Sequence, residues 1–161
     1  MDCLICYETM RTTVGNHKYT ECGLDNIELT QIPIYECLRC HEHSPSIPSI
    51  TDLHRLIAVT IALKQPRLTP PELRFLRTYL GYSRQDLINL LQISPEDLNN
   101  PNLSLELRIR GMTLVKTPST TWNNQVTAFA HAATKEPVIP PLPMKFIQMD
   151  NVWTQIAYTV G

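Results

Sequence analysis

Between Thr51 and Lys64, Leu53, Leu56, Ile57, Thr60 and Ile61 recur at the i, i+3, i+4, i+7, i+8 spacing of one helical face. Ala58, Val59, Ala62 and Leu63 on the other side are also largely apolar. That predicts a helix buried nearly all round, against a core or a second chain. Further on, Thr69-Pro70-Pro71-Glu72 reads as a capping box with proline at the first helical position. The helix it opens runs to Leu80, and Gly81 stands where a left-handed C-cap belongs. Ser83-Arg84-Gln85-Asp86 opens a second helix through Leu91, with Leu87, Leu90 and Leu91 turned to a core. Ser94-Pro95-Glu96-Asp97 opens a third, stopped near Pro101. Three short helices joined by tight turns form a helix-turn-helix pattern.

The flanks are patterned differently. Short β-like runs, Asn26 to Thr30 and Ile32 to Cys37, are punctuated by Gly23 and Pro33. Pro45 and Pro48 mark a linker. Residues 103–110 fit two templates: Leu103, Leu105, Leu107 and Ile109 alternate like a strand, yet Leu105, Ile109 and Met112 also suit a helix. Residues 117–144 are Thr- and Pro-rich and match no element. Beyond them, Phe146 to Met149 and Val152 to Val160 flank Asp150-Asn151, which predicts a β-hairpin.

Composition adds limits. The chain is 43% hydrophobic and 18% charged with a net charge of −1, which suits a globular protein and disfavours a nonspecific polyanion coat. The charge is uneven. Residues 1–50 hold three basic and seven acidic side chains, whereas residues 51–92 hold six basic and three acidic. A basic middle after an acidic start is expected if only the middle meets nucleic acid. The longest apolar run, Leu56 to Leu63, is too short to span a bilayer, and no basic-then-apolar leader is visible. The expectation is a cytoplasmic protein with no membrane partner, where cysteines more often hold metal than form disulfides.

The five cysteines sharpen this. Cys3-x-x-Cys6 and Cys37-x-x-Cys40 are two knuckles, each placing two thiolates on one side of a tight loop. Together they complete a closed tetrahedral site for one structural Zn²⁺, because a catalytic zinc keeps a position open. Such a metal folds a segment too small to build its own core. Cys37-Leu38-Arg39-Cys40-His41 also has the form that attaches c-type haem. That reading requires export and leaves Cys3 and Cys6 without a role. His17, His41 and His43 could each replace a thiolate, but two complete pairs make this unnecessary. Cys22 reads as a small buried thiol.

The order of CxxC, then "YTECGLDNIELTQIPIYECLRC", then "LTPPELRFLRTYLGYSRQDLINLLQISPEDL" resembles the MqsA-type proteins. These are bacterial regulators with an N-terminal zinc ribbon and a lambda-repressor-like (XRE-family) helix-turn-helix. The resemblance covers about residues 1–100. It implies a DNA-binding transcriptional regulator, a repressor, and for many relatives an antitoxin that also binds a toxin. It places Gln85 at the family's DNA-facing glutamine. The chain departs from the family after Ser94: the Trp-Glu-Asn-Gly ending is missing, and Ile93 to Asn102 carries two acids and no Lys or Arg. Asn99, Asn100 and Asn102 can address adenine edges there, or simply end the helix. Ser83 and Ser94 can present helix N-termini to phosphates, and Arg74, Arg77 and Arg84 can contact them, or each can serve as cap or solvated face.

The expected fold is α+β: a small N-terminal four-cysteine zinc ribbon, an all-α helix-turn-helix domain and an irregular or β C-terminal extension. The expected boundaries are 1–48 for the ribbon, 49–66 for a linking or dimerisation helix, 67–114 for the DNA-binding domain and 115–161 for an extension of unassigned role. The expected partners are double-stranded DNA, a second copy of the chain, and a toxin or other protein. The competing reading is a zinc-stabilised protein–protein interaction module that no longer binds DNA. An enzyme is not expected: no nucleophile–base pair, phosphate-cradling glycine loop or open metal site is present. His54 with Asp52, or His131, is too isolated to suggest one.

Overall fold

A computed structural model describes residues 1–64, 66–117 and 143–156. Two compact units emerge. One comprises Met1–Glu21, Asp25–Leu53 and Pro143–Gly161, and the other Cys22–Leu24 and His54–Leu142.

The first unit is built on a five-stranded mixed sheet. Strand β1 (Arg11–Lys18) pairs antiparallel with β2 (Ile27–Glu36), from Arg11↔Glu36 to Lys18↔Glu28. The other edge of β2 is shared. Its C-terminal end takes β3 (His43–Pro45) antiparallel, and its N-terminal end takes β4 (Met144–Met149) parallel, from Ile27↔Met144 to Thr30↔Ile147. Gln31, with φ 55°, sits where one partner gives way to the other, opposite the register shift between Gly15 and His17. Its N–H donates to the Asn16 side chain at 3.3 Å, so the bulge is bonded on both strands. β5 (Val152–Ile156) returns antiparallel along β4. Asp150 and Asn151 both have positive φ (49° and 64°), the conformation a two-residue hairpin turn of the favoured hand requires. Ile27, Leu29, Ile32, Met144, Phe146 and Trp153 form the buried side of the sheet.

The fold expected from the sequence is overturned here. There is no free-standing ribbon followed by an all-α helix-turn-helix and a separate extension. The C-terminal strands complete the N-terminal sheet, and the helices are inserted between β3 and β4. The physical reason is the parallel β2–β4 pairing. Parallel neighbours need a long crossover, and the helical stretch lies within that connection. A buried strand such as β2 also needs backbone partners on both edges, and β3 is too short to supply them along its whole length.

Helix α1 (Ile50–Leu63) carries Leu53, Ile57, Ala58, Ile61 and Ala62 buried, while Val59 and Leu63 are half-buried. In the second unit, α2 (Pro70–Leu80) begins where the Glu72 carboxylate accepts from the N–H and hydroxyl of Thr69 at 2.7 and 3.0 Å. It ends on Gly81 (φ 87°), with Tyr82 N–H donating back to the Arg77 carbonyl at 3.2 Å, the paired bonding of a glycine C-cap. α3 (Arg84–Leu91) and α4 (Pro95–Asn99) are each opened by a reciprocal Ser–Asp capping box. Between them Gln92 takes the left-handed position at φ 53°. The ambiguous segment is helical: α5 (Leu103–Lys116) starts on Asn102, whose side chain accepts from Leu105 N–H at 2.9 Å. The helix wins over the strand because it puts Leu105, Glu106, Ile109, Arg110, Thr113 and Leu114 on one buried face. Glu106 and Arg110 are then one turn apart and pair at 2.8 Å. Among the described residues no helix is long and apolar enough to cross a membrane. The Thr- and Pro-rich stretch 118–142, His131 within it, and the end of the expected hairpin beyond Ile156 lie outside the described residues.

Candidate metal centre

The two cysteine pairs are held by the same local geometry, repeated. In the first knuckle Cys3 N–H donates to the Glu8 carbonyl and Tyr7 N–H to the Cys3 carbonyl, both at 2.9 Å. In the second, Cys37 N–H donates to the Glu42 carbonyl and His41 N–H to the Cys37 carbonyl, again at 2.9 Å. Tyr7 and His41 occupy equivalent places, and each has φ 59°. The left-handed residue after each pair closes the loop and turns both thiols inward. This gives His41 a backbone role: it is the turn residue of its knuckle, with no part in ligation.

The knuckles meet. Cys3 Sγ lies 3.4 Å from Cys40 Sγ, Cys6 Sγ 3.3 Å from Cys37 Sγ, and Cys6 Sγ 3.6 Å from Cys40 Sγ. All four sulfurs fall within 4.8 Å of one another, so Cys3, Cys6, Cys37 and Cys40 could together hold a metal ion. Cys3 and Cys37 are buried, and with Met10 they form a small core against which Cys6, Cys40 and Tyr35 pack. Four thiols have replaced the apolar side chains that would otherwise fill this end of the sheet.

The four thiols do not titrate alike. The N–H of Cys40, then that of Arg39, stabilise the Cys37 thiolate against burial and draw its pKa down to about 6. Cys40 goes the other way. The Glu42 N–H favours its thiolate, but the hydrogen-bonded thiols of Cys3, Cys37 and Cys6, together with burial, push it up to about 12. The cluster cannot carry four negative charges by itself, and a cation at its centre removes that repulsion.

Cys22 is not part of the cage. His17 pairs with Glu21 at 3.0 Å, and His43 lies on β3 opposite Glu36. The haem-type string is therefore only the second knuckle of a four-cysteine cluster.

The residues expected to address DNA all lie on α2, α3, α4 and the joints that follow them. The Ser83 and Ser94 hydroxyls accept from Asp86 N–H and Asp97 N–H, each at 3.1 Å, and those carboxylates accept in return from the serine N–H groups. Both helix starts are thus already occupied by negative charge. Gln85 is exposed, and its amide donates to Asn89 at 3.0 Å. Asn99 accepts from Arg84 at 2.7 Å, Asn100 ends α4, and Asn102 caps α5. Asn99 and Asn102 thus each make an internal bond, and α4 is only five residues long. Arg74, Arg77 and Arg84 line one groove, a convergence that spacing along the chain could not reveal.

No protein-family model, curated protein or solved structure matches this chain.

Proposed function

We propose that the chain is a zinc-stabilised transcriptional regulator of the MqsA type, a repressor that binds double-stranded DNA as a homodimer. The observation that carries this reading is the α3–turn–α4 pair. Its outer face exposes Arg84, Gln85 and Asn89, and the one acid in the first turn of α3, Asp86, is folded back onto Ser83. An exposed polar helix paired with a second across a three-residue turn is how a small domain presents side chains to a groove. The metal is Zn²⁺, one ion held structurally by Cys3, Cys6, Cys37 and Cys40. Zn–S bonds of about 2.3 Å set sulfur–sulfur edges of about 3.8 Å in a tetrahedron, close to the 3.3 to 3.6 Å separations of these thiols. Its role is to staple the two knuckles, and no chemical step depends on it. In many relatives of the resembled family a toxin is the second partner, and that role is part of the proposal.

The test is fluorescence anisotropy with palindromic duplexes taken from upstream of the coding sequence, across a salt series. The reading expects specific binding that weakens steeply as salt rises. Affinity no greater than for random duplex at low salt would sink it. In that case the second reading, a protein-binding module, takes over. It is favoured by the acidic first turn of α4, Glu96 and Asp97, and by the internal use of Asn99 and Asn102. A stable partner co-purifying from the native host would identify that role.

A further inference from the structure

A groove of about 150 Å³ opens beside α2, α3 and α4, lined by Arg74, Arg77 and Arg84 over walls that include Leu73 and Leu98. Among the described residues no carboxylate lines it. The aspartates of the α3 and α4 capping boxes are turned back onto Ser83 and Ser94. Three like charges brought together repel one another, and no acid among the residues lining the groove offsets them.

The donors are positioned to receive it. Arg77 directs one nitrogen, Nη1, to the Tyr82 carbonyl at 2.8 Å. Arg84 directs Nη2 to the Pro95 carbonyl at 3.1 Å and to Asn99 at 2.7 Å. These bonds anchor two guanidinium groups at the edge of the groove and leave other N–H donors on each available to a ligand. Arg74 is exposed, and its side chain makes no hydrogen bond or ion pair among the described residues.

We infer that this groove receives a single phosphate group. A phosphomonoester carries more charge than a carboxylate and has three free acceptor oxygens, and a backbone phosphodiester has one charge and two, so either can take donors from more than one of the arginines that line the groove. The size agrees. Drug-sized ligands occupy roughly 300 to 1,000 Å³, so 150 Å³ takes one tetrahedral anion and little more. The phosphate is either that of a small phosphomonoester or one in a nucleic-acid backbone. The inference does not rest on the DNA reading.

The experiment is calorimetric and NMR titration of the full, metal-loaded chain with inorganic phosphate, with acetate at equal ionic strength as reference. The expected result is saturable one-to-one binding with a dissociation constant on the order of 1 mM or tighter, and no saturation by acetate. Arg74→Gln, which disturbs no internal side-chain bond, should weaken phosphate about tenfold while leaving the melting temperature unchanged. Arg84→Gln should weaken it at least as much. Phosphate binding no tighter than acetate, or unaltered by Arg74→Gln, overturns the inference. Competition with a duplex then identifies the source. Displacement supports a backbone phosphate at this groove, and simultaneous binding supports a free phosphomonoester. Should specific DNA binding fail while the phosphate titration succeeds, the groove stands and the regulator reading falls.

Discussion

Arg110 is the side chain on which the helical unit depends most, and replacing it with methionine should cost about 4 kcal/mol. It is 0% exposed. Its five N–H donors make five bonds: Nε and Nη2 to Glu106 Oε1 at 3.2 and 2.8 Å, Nη1 to the carbonyls of Ala62 and Lys64 at 3.0 and 2.6 Å, and Nη2 to that of Pro66 at 2.7 Å. One guanidinium therefore caps the end of α1 and ties down the backbone leading to α2. Methionine fills most of the volume but removes all five donors. Three carbonyls then lose a partner, at about 1 kcal/mol or more for each that stays dry. Glu106 keeps Arg67 and the Leu68 N–H, so its charge is weakened in pairing without being stranded. The total falls within the roughly 3 to 5 kcal/mol for breaking a buried ion pair from one side. Against a typical stability of about 5 to 15 kcal/mol, that is a large fraction. Urea unfolding of the metal-loaded chain, followed by far-ultraviolet circular dichroism, measures it. Arg110→Lys keeps the charge but loses the fork, so it should fall between methionine and the native residue. A loss below about 1 kcal/mol for Arg110→Met would refute the reasoning, because it would mean that water or backbone movement re-pairs those carbonyls.

Three further outcomes follow from the knuckles and from α1. Cys37→Ser or Cys40→Ser should abolish stoichiometric metal content, measured by plasma emission spectroscopy, whereas His41→Ala should retain it. His41→Gly should in addition raise stability by about 0.5 to 1 kcal/mol, since φ 59° is strained for any residue with a Cβ. Burial lowers the pKa of His54, which stands edge-on to Phe75 at 5.9 Å. The folded state then takes up this proton less readily than the unfolded state, whose histidine titrates near about 6.5. Stability from this group is present above about pH 6.5 and declines as pH falls below it. His54→Phe should flatten that limb of the stability–pH curve, and an unchanged limb would count against the assignment.

The sequence by itself determined the features whose bonds close within a few residues. The capping boxes at Thr69, Ser83 and Ser94, the glycine C-cap at Gly81 and the Asp150-Asn151 turn were legible because donor and acceptor sit only a few positions apart. The cysteine cage was legible for a different reason: thiolate pairs at this spacing have few other uses. The left-handed turns at Tyr7 and His41 are not legible in the sequence because neither residue is glycine. Tertiary structure alone decided the rest. Nothing near Ile27 indicates that its neighbour across the sheet is Met144, because β2 needs a second edge partner and any apolar strand of the right length could provide one. Residues 103–110 satisfied helix and strand templates equally until packing required Leu105, Glu106, Ile109 and Arg110 on one buried face, from which Arg110 reaches the carbonyls of Ala62, Lys64 and Pro66. The arginine groove likewise exists only once α2, α3 and α4 have packed. Local hydrogen bonds are written in adjacent letters, whereas long-range pairing is chosen by whichever distant surface buries the exposed edge.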